Sequence, residues 1–270
     1  MAFIVPAVLP SSREDLEEKL ALFAKMPSVS RVQIDVVDGK FAAPASWPYT
    51  APLELRDASM RGELLPCVDR ITYEIDLMCL NAERASEAWV ALGASRLTFH
   101  AESAIDLTQF LSSVCERYGH GFLSCDLISI GLALNIASDL TLIEPYLDRI
   151  DYVQFMGIAK IGKQGQLFDR RVLDKVRLFR KRYPDMPIQV DGGVSLETGR
   201  ELIALGVSDL IVGSAIVRAT DPAAAIEKFE ALKSSFGVCR GIPEHSTRSV
   251  RDISPSVLIP SRMTLSARVY

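Results

Sequence analysis

Two hydrophobic periods alternate along this chain. Short apolar runs rich in β-branched residues are separated by stretches where apolar residues recur every three or four positions. The runs predict strands at 3–9, 31–37, 71–78, 96–100, 130–135, 151–156, 188–191 and 210–212. Between them the helical period covers 11–26, 81–92, 106–117, 138–146, 169–182, 195–205 and 221–234. Ser11 and Ser12 cap the first helix, with Glu14 and Asp15 in its first turn. The interval from Phe41 to about Pro52 is a Pro/Trp-rich loop, with only a weak helical stretch before residue 66.

Eight strands, each followed by a helical segment, predict a closed (β/α)8 TIM barrel over residues 1–236. A doubly wound sheet is the alternative, but no GxGxxG follows the first strand. Residues 237–270 break the pattern. From 238 on they hold five Arg, six Ser, three Pro and no Lys, so a disordered or loosely docked tail is expected, with a regulatory or subunit-contacting arm as its competitor.

Composition narrows the class. At 270 residues and 49% hydrophobic, the chain suits one large packed domain. A net charge of −4 gives no general attraction to nucleic acid or an anionic membrane, so neither is expected as a partner. Five cysteines without a CxxC read as reduced thiols and predict a cytoplasmic protein. The apolar N-terminus lacks a basic leader and reads as a strand. No apolar run approaches the roughly 18–20 residues that span a bilayer.

Two strands carry a charge they should avoid. Asp35 lies in Gln33-Ile-Asp-Val-Val, and Asp191 ends Ile188-Gln-Val-Asp before Gly192-Gly193. Strands of a parallel sheet are buried on both faces, so a carboxylate inside one costs several kcal/mol unless it has a partner. Barrel active sites lie at the C-terminal strand ends. Asp35, Asp76, His100, Asn135, Met156, Asp191 and Gly213 all fall at or near such ends.

Val5-Pro-Ala-Val-Leu9, Gln33-Ile-Asp-Val-Val-Asp-Gly39, Asp76-Leu-Met78, His100-Ala-Glu102, Gly131-Leu-Ala-Leu-Asn135, Val190-Asp-Gly-Gly-Val194 and Val212-Gly-Ser-Ala-Ile216 follow one another in this order. Together they resemble the ribulose-phosphate 3-epimerase family over residues 3–235, which implies a barrel of the ribulose-phosphate-binding type. The resemblance also implies epimerisation at C3 of a ketopentose phosphate, D-ribulose 5-phosphate to D-xylulose 5-phosphate. Two aspartates, here Asp35 and Asp191, would exchange the proton, and a divalent metal would stabilise the enediolate. The resemblance places the phosphate at Gly162, Lys163, Gln164, Gly165, Gly192, Gly193, Gly213 and Ser214, near Ala7, which stands where the family has serine. It also allows a homo-oligomer.

Both metal-binding histidines of the family are replaced, by Gln33 and Asp76. Gln33, Asp35, Asp76 and Asp191 then form an all-oxygen set, suited to Mg²⁺ or Mn²⁺ rather than Zn²⁺. The alternative is that no metal binds and one aspartate stays protonated. His100 reads as a satisfied core residue. Two further readings stand beside the epimerase: a sugar-phosphate-binding barrel without turnover, and an epimerase of another ketose phosphate. The related decarboxylase and hexulose-phosphate synthase group needs an Asp-x-Lys-x-x-Asp, and the third strand has no lysine.

Overall fold

The strands pair in chain order and the last closes on the first. In the computed structural model, which describes residues 3–119 and 128–234, they are β1 (Phe3–Val8), β2 (Arg31–Val37), β3 (Thr72–Met78), β4 (Arg96–His100), β5 (Ser129–Leu134), β6 (Tyr152–Met156), β7 (Ile188–Asp191) and β8 (Asp209–Val212). All neighbours are parallel, giving the closed eight-stranded barrel that the alternation predicts. The expected tail, together with His120 and His245, lies outside the described residues. Among the described residues no helix is long and apolar enough to cross a membrane.

Alternation along each strand sorts the side chains into two populations. Val32, Ile34, Val36, Ile75, Leu77, Leu97, Phe99, Leu132, Val153, Phe155 and Val190 join one buried cluster with Leu16, Leu20, Phe23, Trp89, Leu111, Phe179 and Leu202 of the helices. Fully burying each such aliphatic side chain contributes roughly 1.5–3 kcal/mol, which is why this layer between sheet and helices carries the fold. The intervening positions supply Gln33, Asp35, Glu74, Asp76, Thr98, His100, Gln154 and Gln189, all buried and polar. They meet across the barrel, as Glu74 on β3 and Gln189 on β7 do. The barrel is apolar outside its strands and polar within.

The helices are α1 (Arg13–Ala24), α2 (Pro52–Met60), α3 (Ala82–Ala91), α4 (Leu107–Tyr118), α5 (Arg171–Arg182), α6 (Leu196–Ala204), α7 (Ser214–Val217) and α8 (Pro222–Ser234). Ser12 caps α1 by accepting from the Asp15 amide at 3.2 Å. Three local readings change. The weak stretch after β2 is a true helix, because Pro52 starts it and Leu55 and Ala58 bury one face. The helix expected at 138–146 is replaced by two 3₁₀ segments, Leu140–Leu142 and Glu144–Arg149. Pro145 lacks the amide an α-helix needs there and disfavours the helical conformation at Glu144. The four-residue α7 after β8 was not expected.

Candidate active site

At the C-terminal mouth, Asp35 on β2, Asp76 on β3 and Asp191 on β7 converge. Each offers a carboxylate oxygen within 4.8 Å of the others. Asp35 and Asp76 are paired in register on adjacent strands, whereas Asp191 reaches them across β8 and β1. Gln33 stands beneath and donates from Nε2 to Asp35 Oδ1 at 2.9 Å and to Asp191 Oδ2 at 3.3 Å. Asp76 accepts from Gln154 Nε2 at 3.1 Å, and His100 Nε2 lies 3.0 Å from its other oxygen.

Burial and proximity set the charge state. Burial first, then the charge on Asp76, pushes the Asp35 carboxyl up to about 8. Asp191 is held well above the usual carboxylate range by burial and then by Asp35 and Asp76. Burial would lower the His100 imidazole, but Asp76 outweighs it and raises the ring above its ordinary value. His100 is fully buried, as the sequence reading has it, but it is not satisfied: Nε2 meets Asp76, Nδ1 has no hydrogen-bond partner among the described residues, and the ring of Phe41 lies 5.4 Å away.

The donor set fits a hard divalent cation. Three carboxylates crowd one buried spot, and Gln33 Oε1 is a buried oxygen without a partner. A cation bonded to the carboxylate oxygens at this spot would relieve that repulsion. No histidine joins the cluster among the described residues, and the His100 Nε2 is engaged by Asp76.

Beside the carboxylates a cavity is lined by Ala7, Asp35, Asp191, Gly192, Gly193, Gly213 and Ser214, and by every residue from Gly162 to Gln166. All the residues singled out from the sequence as phosphate contacts therefore face one cavity. Gly193 has φ +68°, and a Cβ there would sit 2.6 Å from the Phe168 backbone, so only glycine lets the two loops close up. The loop after β6 is pinned by Gln166, whose amide donates to the carbonyls of Lys163, at 2.8 Å, and Lys160. Lys163 is exposed on this loop. Gln164 does something the sequence does not suggest: its amide donates to the Ala7 carbonyl at 3.3 Å, and it lowers the Asp35 carboxyl slightly against the burial that raises it.

Gln154, the bond from Gln164 to Ala7 and the Asp76 contact of His100 are the features that sequence reasoning missed. For Gln154 a signal existed, a polar residue at an inward position of the apolar run Tyr152-Val-Gln-Phe-Met156.

A polar-cored barrel with carboxylates at its mouth and a glycine-lined cavity beside them has the layout of a barrel enzyme. Solved structures agree on the fold: 3-hexulose-6-phosphate synthase from Salmonella typhimurium (TM-score 0.58, 15% identity, 86% of this chain and 99% of that one) is one match. KGPDC from Streptococcus mutans is another (TM-score 0.58, 16% identity, 87% and 98%). Residues 3–217 match the Ribulose-phosphate 3 epimerase family. Ribulose-phosphate 3-epimerase of Schizosaccharomyces pombe is 28% identical over 221 residues, covering 82% of this chain and 89% of the relative. That of Escherichia coli (strain K12) is 28% identical over 79% and 88%, and that of Mycobacterium leprae 27% over 83% and 91%. The chain belongs to the ribulose-phosphate 3-epimerase family, and is an isomerase acting on carbohydrates.

Proposed function

We propose that this chain inverts C3 of a ketopentose phosphate, converting D-ribulose 5-phosphate to D-xylulose 5-phosphate, with Asp35 and Asp191 as the two proton-transferring groups. The observation that carries the reading is the pair itself. Two carboxyls, Asp35 on β2 and Asp191 on β7, line one cavity from separate strands. Inversion needs two such groups: one to take the C3 proton from one face, and one to return a proton on the other.

Asp35, Asp76, Asp191 and Gln33 would hold a divalent cation, Mg²⁺ or Mn²⁺. When bound, it supplies the positive charge that makes an enediolate accessible near neutral pH. The chain's own residues do the rest. Without the cation Gln33 donates to both acid/base carboxyls through a single amide nitrogen, and its amide would turn over to present Oε1 to the cation. The glycine backbones at 192–193 and 213 leave room for the phosphate, with Ser214 and Lys163 at its edge. Gly162 and Gly165 shape the loop that closes over it, at φ +84° and +81°. The polar layer under the aspartates is buried away from bulk solvent, which strengthens each of these interactions.

The test is solvent exchange followed by proton NMR in D₂O with Mg²⁺ present. Deuterium should enter C3 of ribulose 5-phosphate while xylulose 5-phosphate accumulates. Asp35→Asn and Asp191→Asn should each cut turnover by about 100- to 10,000-fold while phosphate binding persists. Full activity in either variant overturns the two-base assignment. A second reading, the same machinery on another ketose phosphate, is favoured by Gln164, whose side chain fills the space next to Ala7. Exchange with a different ketose phosphate and none with ribulose 5-phosphate would select it.

A further inference from the structure

Below the three aspartates, the buried polar side chains form a hydrogen-bond chain with a fixed direction. Arg96 Nε donates to Glu74 Oε2 at 3.0 Å, at the closed end of the barrel interior. A guanidinium can only donate and a carboxylate can only accept, so this pair dictates how the Gln189 amide turns. Its Oε1 faces Arg96 Nη2 at 3.4 Å, and its Nε2 donates to Glu74 Oε1. The same Nε2 donates to Gln154 Oε1 at 2.6 Å. With its oxygen committed, Gln154 has only its nitrogen to present upward, and that nitrogen meets Asp76 Oδ2 at 3.1 Å. Glu74, Gln189, Gln154, Asp76 and His100 are all 0% exposed, so the loss of any of these partners is not made good by bulk solvent.

We infer that Gln154 is a positioning residue, which fixes the plane of the Asp76 carboxylate so that it faces Asp35 and Asp191 as a cation ligand. This rests on the cation reading of that cluster. The terminal torsion of an aspartate is broad and roughly two-fold, so one hydrogen bond leaves its carboxylate free to turn. Asp76 is held through both oxygens, by His100 on one and Gln154 on the other. The position matters in this chain because Asp76 lies beside two carboxyls that repel it, and a free carboxylate would rotate away from them. Glu74, two residues before Asp76 on β3, and Arg96, its neighbour on β4, thereby decide that Asp76 meets a donor.

The test is Mn²⁺ titration of the metal-stripped full-length protein, with free Mn²⁺ read by its electron paramagnetic resonance signal. Gln154→Leu keeps the volume and removes the donor; it should weaken Mn²⁺ by about 10- to 100-fold, the usual effect of losing a partner of a metal ligand. Thr98→Val is the control. Thr98 bonds Glu74 at 2.8 Å and the Tyr152 hydroxyl at 2.8 Å in the same layer, and its loss should leave Mn²⁺ affinity unchanged. Gln189→Met leaves Gln154 in place but removes the donor that orients it, and should weaken Mn²⁺ less than Gln154→Leu does.

Unchanged affinity in Gln154→Leu overturns the inference, as does unchanged affinity in Gln189→Met should the first variant not fold. Equal weakening by Thr98→Val overturns it too, because the effect would then be general loosening of the layer. If the unaltered protein does not take up Mn²⁺, the cation reading falls and this inference with it. Normal uptake by both the unaltered protein and Gln154→Leu removes the role of Gln154 alone.

Discussion

Burial and proximity raise the carboxyls of Asp35 and Asp191, and this gives the cation-free protein a definite pH dependence. An unfolded aspartate titrates near pH 4, whereas burial and then Asp76 lift Asp35 to about 8. Between those values the native state keeps a proton that the unfolded chain has released. The corresponding stability is fully present below about pH 4 and is lost as pH rises through about 8. Asp191 shifts in the same direction. Glu74 shifts the other way: burial opposes, but Arg96 outweighs it and holds the carboxyl below its ordinary value. Its contribution disappears only in acid, outside this window. The melting temperature of chelated protein should therefore fall steadily from pH 5 to pH 8.5, and Asp35→Asn should flatten the slope. A melting temperature that climbs over that range would contradict the burial of two protonated carboxyls. Added Mn²⁺ should restore stability at the alkaline end, since a cation binds the ionised form.

Among the elements, β5 shows how the interior is filled. Gly131 faces inward, and a Cβ there would lie 2.2 Å from the Tyr152 ring of the neighbouring strand β6. The missing side chain is the space in which Tyr152 lies flat under the Arg96 guanidinium, 4.0 Å from its ring centre, and reaches Thr98. Gly131→Ala should destabilise by about 1–3 kcal/mol through overpacking, read from urea unfolding. A neutral result would show that the ring can shift without cost. The helix expected at 138–146 fails for a local reason that was visible in the chain, Pro145, which the apolar period masked. In contrast, α2 forms although its sequence is a weak helix, because Leu55 and Ala58 find a buried face to cover.

For the whole molecule, the barrel closes within residues 3–212 and α8 ends at Ser234, so every residue of the acidic cluster and its cavity comes from one closed unit. A chain ending at residue 236 is expected to melt where the full chain melts and to turn over at the same rate. A marked loss of turnover with an unchanged melting temperature would mean that residues 237–270 act at the site. Compared with the barrel interior, the outer apolar layer is tolerant: its residues need only the right size and period, whereas the polar interior needs each donor matched to an acceptor.

The sequence by itself determined the eight strands, the barrel class, the family and the arrival of Asp35, Asp76 and Asp191 at strand ends. The strands, the class and those positions follow from local periodicity, where one strand's alternation fixes which side chains face inward, whereas the family comes from the resemblance of short motifs spread along the chain. It also exposed Gln33 and Asp76 as departures from the histidines of the family. Tertiary structure decided the remainder. Asp76 and Gln154 are 78 positions apart, and Gln189 and Glu74 are 115. No local pattern says that a glutamine on β6 will meet an aspartate on β3, because the stagger of a closed barrel sets which inward residues share a level. The raised carboxyls, the direction of the hydrogen-bond chain and the reach of Gln164 to Ala7 all depend on that closure.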